Sequence, residues 1–172
     1  RCGSEQRRVM ADKPVLWLPR KVSDATVERA RASYEVILNE ADTPGTADDI
    51  VTMSARVDAM MPCHSEHFSA DVVARLDPRL KIVANHSVGV DHCDLDALRA
   101  RGIVVTNTPD VLSDATAELA MLLMLGAARR AVEGDRLVRT GAWDSWSPAF
   151  MVGKQVTGAR LGIIGMGRVG RS

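Results

Sequence analysis

Net charge, cysteine and long apolar runs are all in short supply in this sequence. Its 22 basic and 22 acidic side chains cancel to a formal charge of zero. A chain that holds polyanions through its bulk field carries a basic excess, so nucleic acid is not an expected partner. The three cysteines, Cys2, Cys63 and Cys93, cannot form a fully paired framework. That scarcity points to a reducing compartment, and a cytoplasmic location is the expectation. The longest apolar run, Leu119 to Ala128, falls well short of the ~20 residues a membrane span needs, so no membrane partner is expected. What is present, 46% hydrophobic and 26% charged residues, belongs to a folded globular chain of one or two domains rather than to a disordered one.

Residues 1–13 are polar and without useful periodicity, and read as a tail outside the fold. At the other end, Leu161-Gly162-Ile163-Ile164 reads as a buried strand entering a glycine-rich turn, and Ser172 stands where a helix should begin. The expectation is the front part of a longer protein.

From Pro14 to Pro109, short apolar runs alternate with longer mixed segments. Strands are predicted at Val15–Leu18, Tyr34–Leu38, Val57–Met61, Leu80–Ala84 and Ile103–Val105. Helices are predicted from the Ser23 cap through Ser33, and over Ala47–Arg56, Ser69–Leu76 and Asp94–Arg101, the last ended by Gly102. The repeated strand–helix order predicts an α/β fold with a parallel sheet covered on both faces. Strands that are continuously apolar fit that burial. About 95 residues for five such units match a flavodoxin-like domain over 14–109.

After Pro109 the character changes. Ser113 is a plausible N-cap for a helix running to about Val138. Ala117, Ala120, Met121, Met124, Leu125 and Ala128 form one stripe, and Leu119, Leu122 and Leu123 another. A helix apolar nearly all round is buried on more than one side, either in one large core or partly against a second subunit. Trp143, Trp146 and Phe150, half of the chain's six aromatic residues, follow in an irregular segment. Such an arm either reaches across an interface or plugs the floor of the next domain.

Three motifs carry chemistry. The first is Gly165-x-Gly167-x-x-Gly170 directly after the Leu161–Ile164 run. Gly165 permits a tight turn, Gly167 lets the backbone approach a pyrophosphate, and Gly170 lets the next helix pack closely. Backbone N–H groups at that helix start would face phosphates, with Arg168 adding a cation. The second is Asn85-His86-Ser87-Val88-Gly89-Val90-Asp91 at the carboxyl end of the fourth strand, the edge where open parallel sheets bind ligands. A turn containing Gly89 can offer consecutive N–H groups to a small carboxylate, although an ordinary loop explains this segment as well. The third runs from Thr106 to Glu118, where Pro109 biases Thr108 toward extended geometry. It reads as a hinge between domains.

In this order and spacing the three segments resemble the D-isomer-specific 2-hydroxyacid dehydrogenase family, and most closely its glyoxylate/hydroxypyruvate reductase branch. The resemblance covers nearly everything from Val15 onward. It implies a flavodoxin-like substrate domain over 14–109, and over 110–172 the first helix, arm and first strand of a Rossmann nucleotide domain. It implies that Ser87, Val88 and Gly89 hold the substrate carboxylate. Leu112 and Thr116 would touch the nicotinamide end of NAD or NADP, and Gly165, Gly167, Arg168, Val169 and Gly170 would bind its pyrophosphate. A homodimer joined through the nucleotide domain is implied too.

The family's catalytic arginine, glutamate and histidine come later in the chain, and none can be matched here. These 172 residues alone are therefore expected to show no dehydrogenase activity. The function implied is hydride transfer from NAD(P)H to a small 2-keto acid such as glyoxylate or hydroxypyruvate. The same fold also serves dinucleotide-sensing corepressors that need not keep the catalytic histidine, and dehydrogenases of formate or phosphoglycerate. His86 is expected to be a packing or surface residue. Cys63 with His64 and His67, or His92 with Cys93, match no closed zinc pattern, and no metal is expected.

Overall fold

The computed structural model describes residues 13–172, so the expected tail, Lys13 apart, lies outside the described residues. Contacts along the chain define two compact units that meet in sequence at Pro109 and Asp110.

The first unit is a five-stranded parallel sheet: β1 (Val15–Leu18), β2 (Glu35–Leu38), β3 (Ala59–Met60), β4 (Ile82–Ala84) and β5 (Val104–Thr106). Its spatial order is β2-β1-β3-β4-β5, the flavodoxin-like order with a switch point between β1 and β3. Helices α1 (Asp24–Ser33), α2 (Ala47–Ser54), α3 (Ala70–Ala74) and α4 (Leu95–Ala100) make the crossovers. The α/β fold expected from the alternating pattern is the one observed. The strands are shorter than their apolar runs, since only Ala59 and Met60 of Val57–Met61 pair with neighbours.

Side chains alternate across a pleated strand, which sorts each run into two cores. Leu16, Leu18 and Ala59 join Val27 of α1 on one face. Trp17, Met60 and Val83 join Ile50, Phe68, Val73 and Leu98 on the other. Burial on both faces is why β1 carries no polar alternation. The helix starts follow ordinary capping chemistry. Ser23 accepts the Thr26 N–H, and Asp94 accepts the Ala97 N–H at 2.9 Å. Thr46 and Asp49 form a reciprocal capping box. Gly102, at φ +68°, follows the end of α4 in a left-handed conformation that suits glycine.

The second unit holds α5 (Ser113–Ala128), α6 (Ala131–Arg139) and the single turn α7 (Arg168–Arg171). Three sequence expectations change here. The long helix is two helices, because Arg130 adopts a left-handed φ of 53° and Lys154 N–H donates to Ala128 O at 2.7 Å. The carbonyl at the end of α5 is thus satisfied by a later segment and not by a further helical turn. Ser113 is the first helical residue, with Leu112 at the cap position and no side-chain cap bond. Leu161–Ile164 forms no strand, and among the described residues this unit contains none. A strand exists only through pairing with a neighbour, so an apolar run without one stays irregular.

Candidate functional site

In a parallel sheet the strands end at one common edge, which brings the loops after β3 and β4 together. His86 N–H donates to Pro62 O at 2.8 Å, and Phe68 and the 92–94 segment exchange backbone bonds of 2.7 and 2.8 Å. The first loop is pinned by Glu66, a fully buried carboxylate. It accepts from Gly45 N–H at 3.1 Å, Cys63 N–H at 2.9 Å and the Ser65 hydroxyl at 2.9 Å. Such satisfaction is what makes a buried charge tolerable.

The second loop is pinned by Asn85, which is almost wholly buried. Its side-chain N–H donates to Thr106 O, leaving Oδ1 as the acceptor for His92 Nε2–H at 2.9 Å. Burial first, then the fields of His67 and His64, push the His92 imidazole below its usual range, which keeps it neutral. Burial likewise pushes the Cys63 and Cys93 thiols up, holding them as protonated thiols.

Within Ser87–Gly89 the carbonyls are all engaged. Ser87 O accepts Thr108 N–H at 3.0 Å, Val88 O accepts the Asn107 side chain at 2.8 Å, and Gly89 O accepts the Ser87 hydroxyl at 2.7 Å. Among the described residues the N–H groups of Ser87, Val88 and Gly89 find no acceptor. The three residues expected to hold a carboxylate therefore present donors only. Ser87 and Gly89 line a small pocket of about 270 Å³ together with His64, His67, Asp91 and His92. His86 does not line this pocket; it is exposed, with Nδ1 3.7 Å from Cys63 Sγ.

In the second unit the glycine loop makes a tight turn into α7, although no strand leads into it. Gly165 sits at φ +98°, a conformation that side chains strain to adopt. A Cβ on Gly170 would lie 2.1 Å from Gly165 O, so the turn closes only with glycine there. A Cβ on Gly167 would meet nothing within 4 Å, so its backbone is open to a close approach from outside. Those features fit a pyrophosphate cradle. The Arg168 guanidinium is paired with Asp110, so the cation expected beside the loop arrives already partnered by a carboxylate. Val169 lies in the one-turn helix α7. Leu112 and Thr116 are exposed and one turn apart at the start of α5, on one face of the helix.

Sequence reasoning assigned no role to Asn85, Asn107, Glu66 or Asp110. Asn85 carried a usable signal, an amide placed directly after a buried strand. The partners of Glu66 and Asp110 lie 21 and 58 positions away in sequence for Gly45 and Arg168, and no spacing rule connects them.

Comparison with known proteins identifies the family. The profile of the family described as "D-isomer specific 2-hydroxyacid dehydrogenase, catalytic domain" matches residues 15–162. A glycerate dehydrogenase from Hyphomicrobium methylovorum is 42% identical over 149 residues, which is 87% of this chain and 46% of that protein. A glyoxylate reductase from Pyrococcus horikoshii is 39% identical, covering 93% of this chain and 49% of that protein. Among solved structures, an NAD-binding protein from Polaromonas sp. JS6 66 superimposes with a TM-score of 0.86 at 43% identity, over 92% of this chain and 50% of its own. The chain spans about half the length of the curated relatives it matches. A profile match over most of the chain, together with the parallel sheet and its donor-only loop, makes this chain a member of the D-isomer specific 2-hydroxyacid dehydrogenase family.

Proposed function

We propose that this chain contributes the keto-acid and dinucleotide sites of an NAD(P)H-dependent reductase of small 2-keto acids such as glyoxylate or hydroxypyruvate. The observation that carries the reading is the Ser87–Gly89 loop, whose carbonyls are consumed while its N–H groups remain available. Such a cluster of amides accepts a carboxylate through charge-assisted bonds. Residues 14–109 serve as the substrate domain and 110–172 as the beginning of the nucleotide domain. Gly165, Gly167, Arg168, Val169 and Gly170 would hold the pyrophosphate, and Leu112 and Thr116 the nicotinamide end. Bound NADH or NADPH would supply the hydride. The loop's amides hold and orient the acid, and neutral His92 fixes the loop through Asn85 without adding charge. The relatives' names, glycerate dehydrogenase and glyoxylate reductase, support the substrate class. A homodimer that covers the apolar surface of α5, in a cytoplasmic setting, completes the reading.

The test is loss of nicotinamide absorbance when the native protein is mixed with NADH or NADPH and glyoxylate or hydroxypyruvate. Turnover is expected in a form that carries the family's arginine, glutamate and histidine. The 172 residues alone are expected to bind without turnover. No reaction of such a form with any small 2-keto acid overturns the proposal. Gly167→Val, which introduces no clash within the fold, should weaken dinucleotide binding about tenfold or more by blocking close approach. Unchanged affinity removes Gly167 from the site.

A further inference from the structure

Neighbouring amides hold a carboxylate together only when their N–H bonds point the same way. A trans peptide is planar, with its C=O and N–H directed oppositely, and among the described residues no peptide bond is cis. Whatever holds the Ser87 carbonyl therefore aims the Val88 N–H, and whatever holds the Val88 carbonyl aims the Gly89 N–H. Both carbonyls are held by one segment, the stretch that follows β5. Thr108 N–H donates to Ser87 O at 3.0 Å, and the Asn107 side-chain N–H donates to Val88 O at 2.8 Å. With both carbonyls turned toward residues 107–108, both N–H groups turn away from them. That segment is itself anchored, because Thr106 O accepts the main-chain N–H of Asn85 at 2.9 Å and its side-chain N–H at 3.2 Å.

The two holds differ in kind. Thr108 acts through its main chain, which any residue but proline supplies. Asn107 acts through its side chain, and it acts at the looser joint. Gly89 does not take a positive φ here. Turning the 88–89 peptide over would carry that φ into the positive region, which a side chain resists and glycine does not. The glycine therefore leaves the direction of its own N–H to be set from outside the loop.

We propose that Asn107 is a positioning residue of the acid site: its bond to the Val88 carbonyl stops the 88–89 peptide from turning over and keeps the Gly89 N–H aimed with that of Val88. The inference rests on the carboxylate reading of Ser87–Gly89 and adds to it a residue outside the loop that acts through the loop. Asn107 is exposed and belongs to neither core, so its effect on acid binding is separable from stability.

The experiment compares ¹⁵N-labelled parent protein with N107L, which keeps the side chain's shape without its donor, and with N107H, whose Nδ1–H returns a donor at the same branch. Each is titrated with glyoxylate, and the residual dipolar couplings of the Val88 and Gly89 N–H bonds are read in the free protein. In N107L the Gly89 coupling should change while that of Val88 holds. Glyoxylate affinity should fall on the order of tenfold, the scale of one hydrogen bond to a charged group. The β1–β5 amides should keep their dispersion, and N107H should regain part of both the coupling and the affinity. An unchanged Gly89 coupling, an unchanged affinity, no recovery in N107H, or lost dispersion in N107L overturns this inference and leaves the carboxylate reading standing. A parent protein whose Val88 and Gly89 amides do not respond to glyoxylate overturns both.

Discussion

The two units of this chain handle apolar residues in opposite ways. In the first, Phe68, Leu98, Val83 and Ile50 are wholly buried between sheet and helices. In the second, α5 buries none of its residues, and Leu122 and Leu123 are 63% and 64% exposed. Yet α5 is more apolar in sequence than α1 or α2. Burial is thus a relation between surfaces and cannot be read from one segment's composition.

Substitutions can sharpen that contrast. The largest effect is expected for Phe68→Ala, which would empty the centre of the first unit's core. It should destabilise that unit by roughly 3–5 kcal/mol, seen in urea unfolding followed at the β1–β5 amides. A smaller loss would mean that the core collapses onto the gap.

Next comes Asp58→Asn. The Val15 N–H donates to Asp58 at 2.7 Å, and Arg79 is at 3.2 Å. The Val15 amide first, then Arg79, hold this carboxyl below the usual range. A depressed folded-state value contributes stability above the unfolded value of about 3.9, and that contribution is lost as pH falls through the folded value. The variant should therefore cost about 1 kcal/mol near neutrality, with the difference from the parent vanishing in strong acid. A difference that persists in acid would assign the effect to packing.

The smallest effect is expected for Leu122→Ala on α5, within about 0.5 kcal/mol for the chain on its own. A larger loss would show that α5 is covered in solution, and a concentration dependence of that loss would identify a second copy as the cover.

The first unit was largely legible from sequence, since its order is written in local signals. Ser23 capped α1 as its position in the sequence suggested, and Gly102 took the left-handed turn after α4. Apolar runs located all five strands, although their lengths depended on pairing. The second unit was less legible because its features depend on distant partners. Nothing near Ala128 announces that Lys154 will take its carbonyl and end the helix. The Leu161–Ile164 run has strand composition but no neighbour here to pair with. For the candidate site, the glycine spacing was visible in the sequence, whereas the grouping of residues around Gly89 needed the fold. His64 and Asp91 become neighbours of one pocket only when β3 and β4 lie side by side.

The most direct test of the dinucleotide assignment is a titration of ¹⁵N-labelled protein with NADH and with NADPH, read at the amides of residues 165–170 and at Leu112 and Thr116. Saturable shifts concentrated on those residues, and lost in Gly167→Val, are the predicted result. Shifts absent from the glycine loop, or unchanged in the variant, would contradict it.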